Sequence, residues 1–321
     1  MKKSLVSALI LSGLAGAASA QVSLYGLLDA SLGKSILDDA NKKSADLHSG
    51  GDDGSGQGNS TTRIGVKGST DVGSGVKANF KFETAGITSK GSVGGAGDAF
   101  FNRQAWMGFS SGLGEIRLGR QDSVPFQTMI AYDFNGASNG VSALGYANVG
   151  PWARDRQSRS IQYIAPTMGG LSVQLGAVPK GNVAGDKATM SAGATYALGA
   201  FSASAAFEGK RTTTGHSFWS LAASYDMGIV KFMAAAADGG PNATGVSFGA
   251  VAPFAGASVG FLYGRNNDTK GSGLEVFANK EVLKNTYAYA EIGRANSKAM
   301  TALGAPAGSA MGYALGVIYT F

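Results

Sequence analysis

The stretch "GVKANFKFE" constrains the whole chain, because Val76, Ala78, Phe80 and Phe82 alternate strictly with Lys77, Asn79, Lys81 and Glu83. A period of two places the two sets on opposite faces of a strand, so one face suits hydrocarbon and the other suits water. "TTRIGVKGST" repeats the pattern with Ile64 and Val66 opposed to Arg63 and Lys67. Near the start, Val22, Leu24, Leu28 and Ala30 are opposed to Ser23, Tyr25, Asp29 and Ser31. Sixteen such segments are predicted, at 21–31, 61–70, 75–85, 100–110, 114–121, 157–165, 170–178, 188–198, 201–209, 216–225, 229–237, 244–252, 255–264, 272–280, 284–293 and 311–321.

The connections alternate as regularly as the strands. "TDVGSG", "SGLG", "PTMGG", "LGA", "DMG", "PFAG" and "EVL" read as tight turns, whereas 32–60, 86–99, 122–156 and 293–310 are long. Turns on one side and loops on the other are what an even-stranded barrel has when a membrane separates its ends. Unpaired backbone groups are costly in hydrocarbon, so the first and last strands must pair and close the sheet. Ten residues at about 3.3 Å each, tilted by about 40°, cover an apolar band of roughly 25 Å. At sixteen strands the interior is too wide for side chains to fill, which leaves an aqueous channel. The expected fold is therefore all-β, a 16-stranded antiparallel transmembrane β-barrel. In its last strand, "MGYALGVIYTF", Tyr313, Leu315, Val317, Tyr319 and Phe321 face lipid or a partner, while Gly312, Ala314, Gly316, Ile318 and Thr320 face inward.

Composition agrees with this reading and removes other classes. Charged residues make up 15% of the chain, against a usual figure of about 25%. There is no cysteine, hence no disulfide scaffold and no thiolate chemistry. Lys2 and Lys3, the apolar stretch from Leu5 to Ala17 and the Ala18-Ser19-Ala20 site have the form of a secretory leader. Residues 1–20 are expected to be removed, leaving 21–321 as one barrel domain. The remainder carries 25 basic against 21 acidic side chains, a net charge near +4 with no basic run to engage nucleic acid. Past the leader no apolar run reaches the length of a spanning helix. Glycines inside the strands, such as Gly26, Gly65 and Gly316, either permit bends and close approach or reflect composition alone.

A tube this wide needs something to narrow it. Residues 122–156, "DSVPFQTMIAYDFNGASNGVSALGYANVGPWARDR", have no clear period and carry Val124, Phe126, Met129, Ile130, Tyr132, Phe134 and Trp152. That is too apolar for a disordered tail, so the segment is expected to pack on the barrel wall. Catalysis by a Ser-His-acid site would need a fixed imidazole, and the only histidines are His48, in a Gly-rich loop, and His216. Nothing calls for a cofactor or a metal: the loop acids around His48 lack calcium-loop spacing. A substrate-specific channel is the main alternative; it needs an aromatic track, and Tyr132, Phe134, Tyr146 and Trp152 are scattered. A closed structural barrel is a further alternative, which conductance excludes.

"VSLYGLLDASL", "RIGVKGSTDVGSGVKANFKFE", "NRQAWMGF", "GEIRLGRQ" and "GYALGVIYTF" together resemble the general-diffusion porins of beta-proteobacteria, densest before residue 125. The resemblance implies a homotrimer in the outer membrane whose third long loop folds inward to constrict the pore. It also implies passage of inorganic ions and small hydrophilic solutes. It places pore-lining arginines at Arg63, Arg103 and Arg156, facing acidic loop residues, here Asp122, Asp133 and Asp155. Lys67, Lys77, Lys81 and Arg117 extend the basic wall, unless they are merely solvated charges. Basic groups outnumber loop acids, so a transverse field with a modest anion preference is expected. In such barrels the closing aromatic strand is read by the outer-membrane assembly machinery, which assigns Phe321 and Tyr319 as an assembly signal beside the surrounding lipid. One departure is Met168, where porins of this type carry an acid. Arg120, which alternation turns outward, either lies near the rim or a subunit interface, or is turned inward by a bulge.

Overall fold

The computed structural model describes residues 21–50, 58–93, 100–136, 139–181 and 184–321, so the expected leader lies outside the described residues. Seventeen strands form one antiparallel sheet that closes on itself. They begin with β1 (Gln21–Lys34), β2 (Asp46–Ser49), β3 (Arg63–Gly73), β4 (Val76–Ala85), β5 (Gln104–Ser111) and β6 (Gly114–Asp122). The middle of the sheet is β7 (Arg156–Ile164), β8 (Leu171–Val178), β9 (Thr189–Leu198), β10 (Phe201–Glu208), β11 (Phe218–Asp226) and β12 (Lys231–Asp238). It ends with β13 (Thr244–Phe254), β14 (Ala257–Asn266), β15 (Ser272–Leu283), β16 (Thr286–Ala295) and β17 (Ala310–Thr320). Short helices interrupt the long connections: α1 (Ile36–Ala40), α2 (Val124–Met129), α3 (Ala143–Ala147) and α4 (Ser297–Ala302).

Sixteen of the strands are barrel staves, and β2 is a four-residue addition in the first long connection, paired with the loop end of β1. The staves begin and end within four residues of the boundaries read from alternation. No helix among the described residues is long and apolar enough to cross a membrane, so the crossing elements are strands. Burial follows the period of two: on β17, Tyr313, Leu315, Val317 and Tyr319 are exposed, while Gly312, Ala314, Gly316 and Ile318 are buried.

The seam joins β1 to β17 in register from Leu27↔Thr320 to Lys34↔Tyr313. Beyond the last rung, Gly26 N–H donates to the Phe321 carbonyl at 3.0 Å and Phe321 N–H donates back to Gly26 at 3.2 Å. The Phe321 ring lies over Gly26, where a Cβ would come within 2.8 Å of its Cε1. Glycine is required there because the outward ring occupies the space a side chain would take.

One expected turn shifts. The "EVL" residues Glu281, Val282 and Leu283 still belong to β15, and the chain reverses at Lys284–Asn285, where Asn285 adopts φ +59°. In "PFAG" the reversal falls within the expected turn, on Ala255 and Gly256 at φ +50° and +74°, while Pro253 and Phe254 extend β13. Tight hairpins need left-handed residues, and that requirement outranks the local apolar pattern.

Between β6 and β7 the described residues 123–136 and 139–155 pack against the strands of the barrel. Helix α2 packs on β9, β10 and β11, and α3 packs on β14, β15 and β16. The segment's Met129, Tyr132, Ala143 and Leu144 form one apolar cluster with Phe218, Met233, Leu262 and Phe277 of the wall. Its floor is glycine: a Cβ on Gly273 would meet the Ala143 carbonyl at 2.6 Å, and one on Gly293 would meet that of Val141 at 2.5 Å. Arg120 lies at the loop end of β6, donating to the Asn102 carbonyl at 2.6 Å and to Ser158 Oγ at 2.7 Å. A bulge in the β6–β7 ladder falls at the same level. The rim therefore satisfies the guanidinium without burying it in hydrocarbon.

Candidate pore constriction

The inward faces of β3–β6 carry the basic residues, because Arg63 and Lys67 share one parity on β3, as do Lys77, Lys81 and Glu83 on β4. Three guanidiniums meet near the loop end. Arg63 Nη1 donates to Ser60 Oγ at 3.3 Å and to the Thr61 carbonyl at 3.1 Å. Arg103 Nε is 2.6 Å from Glu83 Oε1. Arg156 Nε is 2.8 Å from Asp122 Oδ1, an ion contact too bent to be a hydrogen bond. The Arg156 guanidinium also lies 4.8 Å from the centre of the Phe126 ring, which fixes its plane. The three are close enough for their mutual repulsion to register.

Glu83, which sequence reasoning placed on the polar face without assigning it a role, organises this group. One carboxylate oxygen holds Arg103, and the other accepts from Tyr25 Oη at 2.8 Å and lies 3.5 Å from Lys81 Nζ. Below it, Lys67 and Lys81 sit 5.2 and 5.4 Å from the same Tyr25 ring. Arg117 pairs with Glu115 at 2.7 Å and stacks on Trp106 at 4.5 Å. Lys77 is exposed toward the turn end of β4.

The loop acids do not form a strip opposite these arginines. Asp122 and Asp155 flank the two ends of the crossing segment and both contact Arg156, Asp155 Oδ2 at 3.4 Å. Asp133 is taken to the far wall, where it is 7% exposed. There Asn135 N–H donates to its Oδ1 at 3.3 Å. Burial pushes this carboxyl up to about 7. Asp133 thus lies beside Glu275 and Glu291, a proximity that their distance in sequence hid.

That far wall is an acidic seat. Glu275 Oε2 accepts from Ala143 N–H at 2.8 Å, at the start of α3. Glu291 Oε2 accepts from the side-chain amides of Asn59 and Asn135, each at 2.9 Å. Asp29 accepts from Ser60 N–H at 2.6 Å and from Tyr289 Oη at 2.7 Å. The Ala143 and Asn135 ties hold the segment against β15 and β16 through one oxygen of each glutamate, while Asp29 ties the first long connection at Ser60 and the Tyr289 side chain to β1. Among the described residues no group of three His, Cys, Asp or Glu side chains has metal-binding geometry.

A family model described as Gram-negative porin matches residues 6–300. Outer membrane porin protein 32 of Delftia acidovorans is 33% identical over 184 residues, 55% of this chain and 49% of the relative. Major outer membrane protein P.IB of Neisseria meningitidis serogroup B is 35% identical over 178 residues, 54% of this chain and 48% of the relative. The chain spans about half the length of the curated relatives it matches. A solved structure described as the anion-selective porin from Comamonas acidovorans superposes with a TM-score of 0.71 at 22% identity, covering 94% of this chain and all of that one.

Proposed function

The chain belongs to the Gram-negative porins, barrels of the outer membrane, and from that premise we propose that it forms a water-filled channel for passive diffusion of ions and small hydrophilic solutes, with a modest anion preference. The observation that carries the preference is the cluster of Arg63, Arg103 and Arg156, whose carboxylate neighbours are Glu83, Asp122 and Asp155, with Lys67, Lys81 and Arg117 adding positive charge along the same wall. A focused positive potential raises the local concentration of anions and orients dipolar solutes. The segment 122–156 is read as the constriction, since its apolar face is seated on the opposite wall.

A homotrimer is part of this proposal, as the family resemblance implies. Family membership points to a channel rather than an enzyme, and we assign no catalytic role to His48 or His216. Reconstitution in a planar bilayer tests the reading: stepwise conductance in groups of three is expected, and a purified, folded barrel that never conducts contradicts it. A substrate-specific channel would instead saturate with one solute and exclude others of similar size.

Phe321, with Tyr319 stacked on it at 6.0 Å, is proposed as the signal for the assembly machinery. Deleting Phe321 is expected to lower the yield of folded barrel, measured by heat-dependent gel mobility, while the barrels that do insert keep their conductance. Equal yields would remove the assignment.

A further inference from the structure

Below the arginines, on the turn side, the same wall holds a cavity of about 520 Å³ lined by Lys67, Lys81, Ser23, Ser69, Asn79 and Trp106. Its residues fall on successive lumen-facing rungs of four neighbouring strands. Ser23 pairs with Lys67, Lys67 with Lys81, and Lys81 with Trp106; two rungs further, Gln21 pairs with Ser69 and Ser69 with Asn79. Two lysines therefore stand directly opposite each other on adjacent strands, an arrangement that is unfavourable for like charges.

The local partners relieve this only in part. Both ammoniums rest on the Tyr25 ring, and Lys81 shares Glu83 with Arg103. Among the described residues no carboxylate lies within 4.0 Å of Lys67 Nζ. Glu115 also faces the cavity, but Arg117 holds its Oε2 at 2.7 Å, and Asn79 Nδ2 donates to its Oε1 at 3.2 Å. Asn79 is further fixed by Ser69, whose hydroxyl donates to Asn79 Oδ1 at 2.8 Å. The cavity thus keeps a positive excess at its centre, with hydroxyl and amide groups beside it.

We propose that this cavity is a binding site for a dianionic phosphate group, either free phosphate or the phosphate of a small phosphorylated solute. Two ammoniums with rotatable donors suit a tetrahedral oxyanion approached from two sides, and the Ser23 hydroxyl beside Lys67 can supply a further hydrogen bond. The site adjoins the arginine cluster through Glu83, which Lys81 shares with Arg103, but its centre at Lys67 lies further along the wall. Lys67 lies four residues along β3 from Arg63, roughly 13 Å at the usual rise, which exceeds the screening length of about 8 Å at physiological salt. The proposal deepens the channel reading and rests on it for its access from water, but binding can be measured without conduction.

The test is calorimetric titration of inorganic phosphate into the folded barrel in detergent, at low salt and about pH 8, where phosphate is mainly dianionic. One site per chain is expected. Lys67→Gln and Lys81→Gln are each expected to weaken it by about tenfold or more, the loss of one charge-assisted contact. Lys298→Gln, exposed on α4 and outside the cavity's lining, changes net charge equally and is expected to keep the affinity. Glycerol phosphate in place of inorganic phosphate distinguishes the two sources: comparable affinity identifies a site for phosphorylated solutes, and a much weaker one identifies free phosphate. In bilayers, phosphate is expected to reduce chloride current through the wild type and not through Lys67→Gln. Absence of binding to the folded wild type overturns the site, as does unchanged affinity in both lysine variants. Binding without any conductance would instead leave the site standing and remove the channel reading.

Discussion

The two facing walls of the barrel use charge in opposite ways. On β3–β6 the basic side chains stay at the water-facing surface, and their carboxylate partners are few. On β14–β16 the carboxylates of Glu275 and Glu291 are 1% and 4% exposed and covered by the crossing segment. Oε2 of Glu275 accepts from Ala143, and Oε2 of Glu291 from Asn59 and Asn135, beneath the segment that covers them. The difference teaches that an acid in a constricting loop need not act on the permeating ion. Asp133 belongs with the seat that holds the loop, and the wall that acts on solutes is the basic one.

The largest expected effect comes from lifting the loop. Valine at both Gly273 and Gly293 would drive side chains into the Ala143 and Val141 backbone, and overpacking of this kind costs about 1–3 kcal/mol per site. Single-channel conductance is expected to fall by roughly half, as the loop is pushed off its seat toward the basic wall and narrows the bore. Unchanged conductance would mean that the seat does not set the bore.

Next comes the basic wall. Arg63→Gln and Arg103→Gln are each expected to lower the chloride-to-potassium permeability ratio by about a factor of two to three, with little change in conductance. If instead an Asp133→Asn variant moved that ratio as much as either arginine variant, the division of labour between the walls would be wrong.

The smallest effect is on pH dependence. The Asp133 carboxyl is raised from 3.8 to about 7, so between those values the folded chain holds a proton that the unfolded chain has lost. Its contribution to seating is therefore greatest below the lower value and declines as pH rises through the upper one. Amide exchange in residues 124–147, corrected for intrinsic rates, is expected to be slower at about pH 5 than at about pH 8. Asp133→Asn should flatten that difference.

The staves were legible because each is amphipathic by itself: β3 and β4 display their lumen and lipid faces in ten residues of sequence. The crossing segment was legible as a long, aperiodic and apolar interruption, and Arg63 followed from alternation. What local pattern cannot carry is the identity of distant partners. Asn135 meets Glu291 across 156 residues, and Asp133 follows Asn135 to that wall. Glu83 looked like one more polar residue until the barrel brought Tyr25 and Arg103 to it. Helix α1 did have a local sign, Ser35 followed three residues later by Asp38, which form a capping box. Five helical residues inside a Gly-rich connection have no apolar period to mark them in sequence.

The central claim is that the basic wall acts on permeating ions while the loop acids do not balance it. The zero-current potential of the wild-type channel in a planar bilayer, under a potassium chloride gradient at neutral pH, measures this directly. A potential on the chloride side is predicted, moving toward zero in Arg63→Gln and Arg103→Gln. A potential on the potassium side, unmoved by either substitution, would contradict the account.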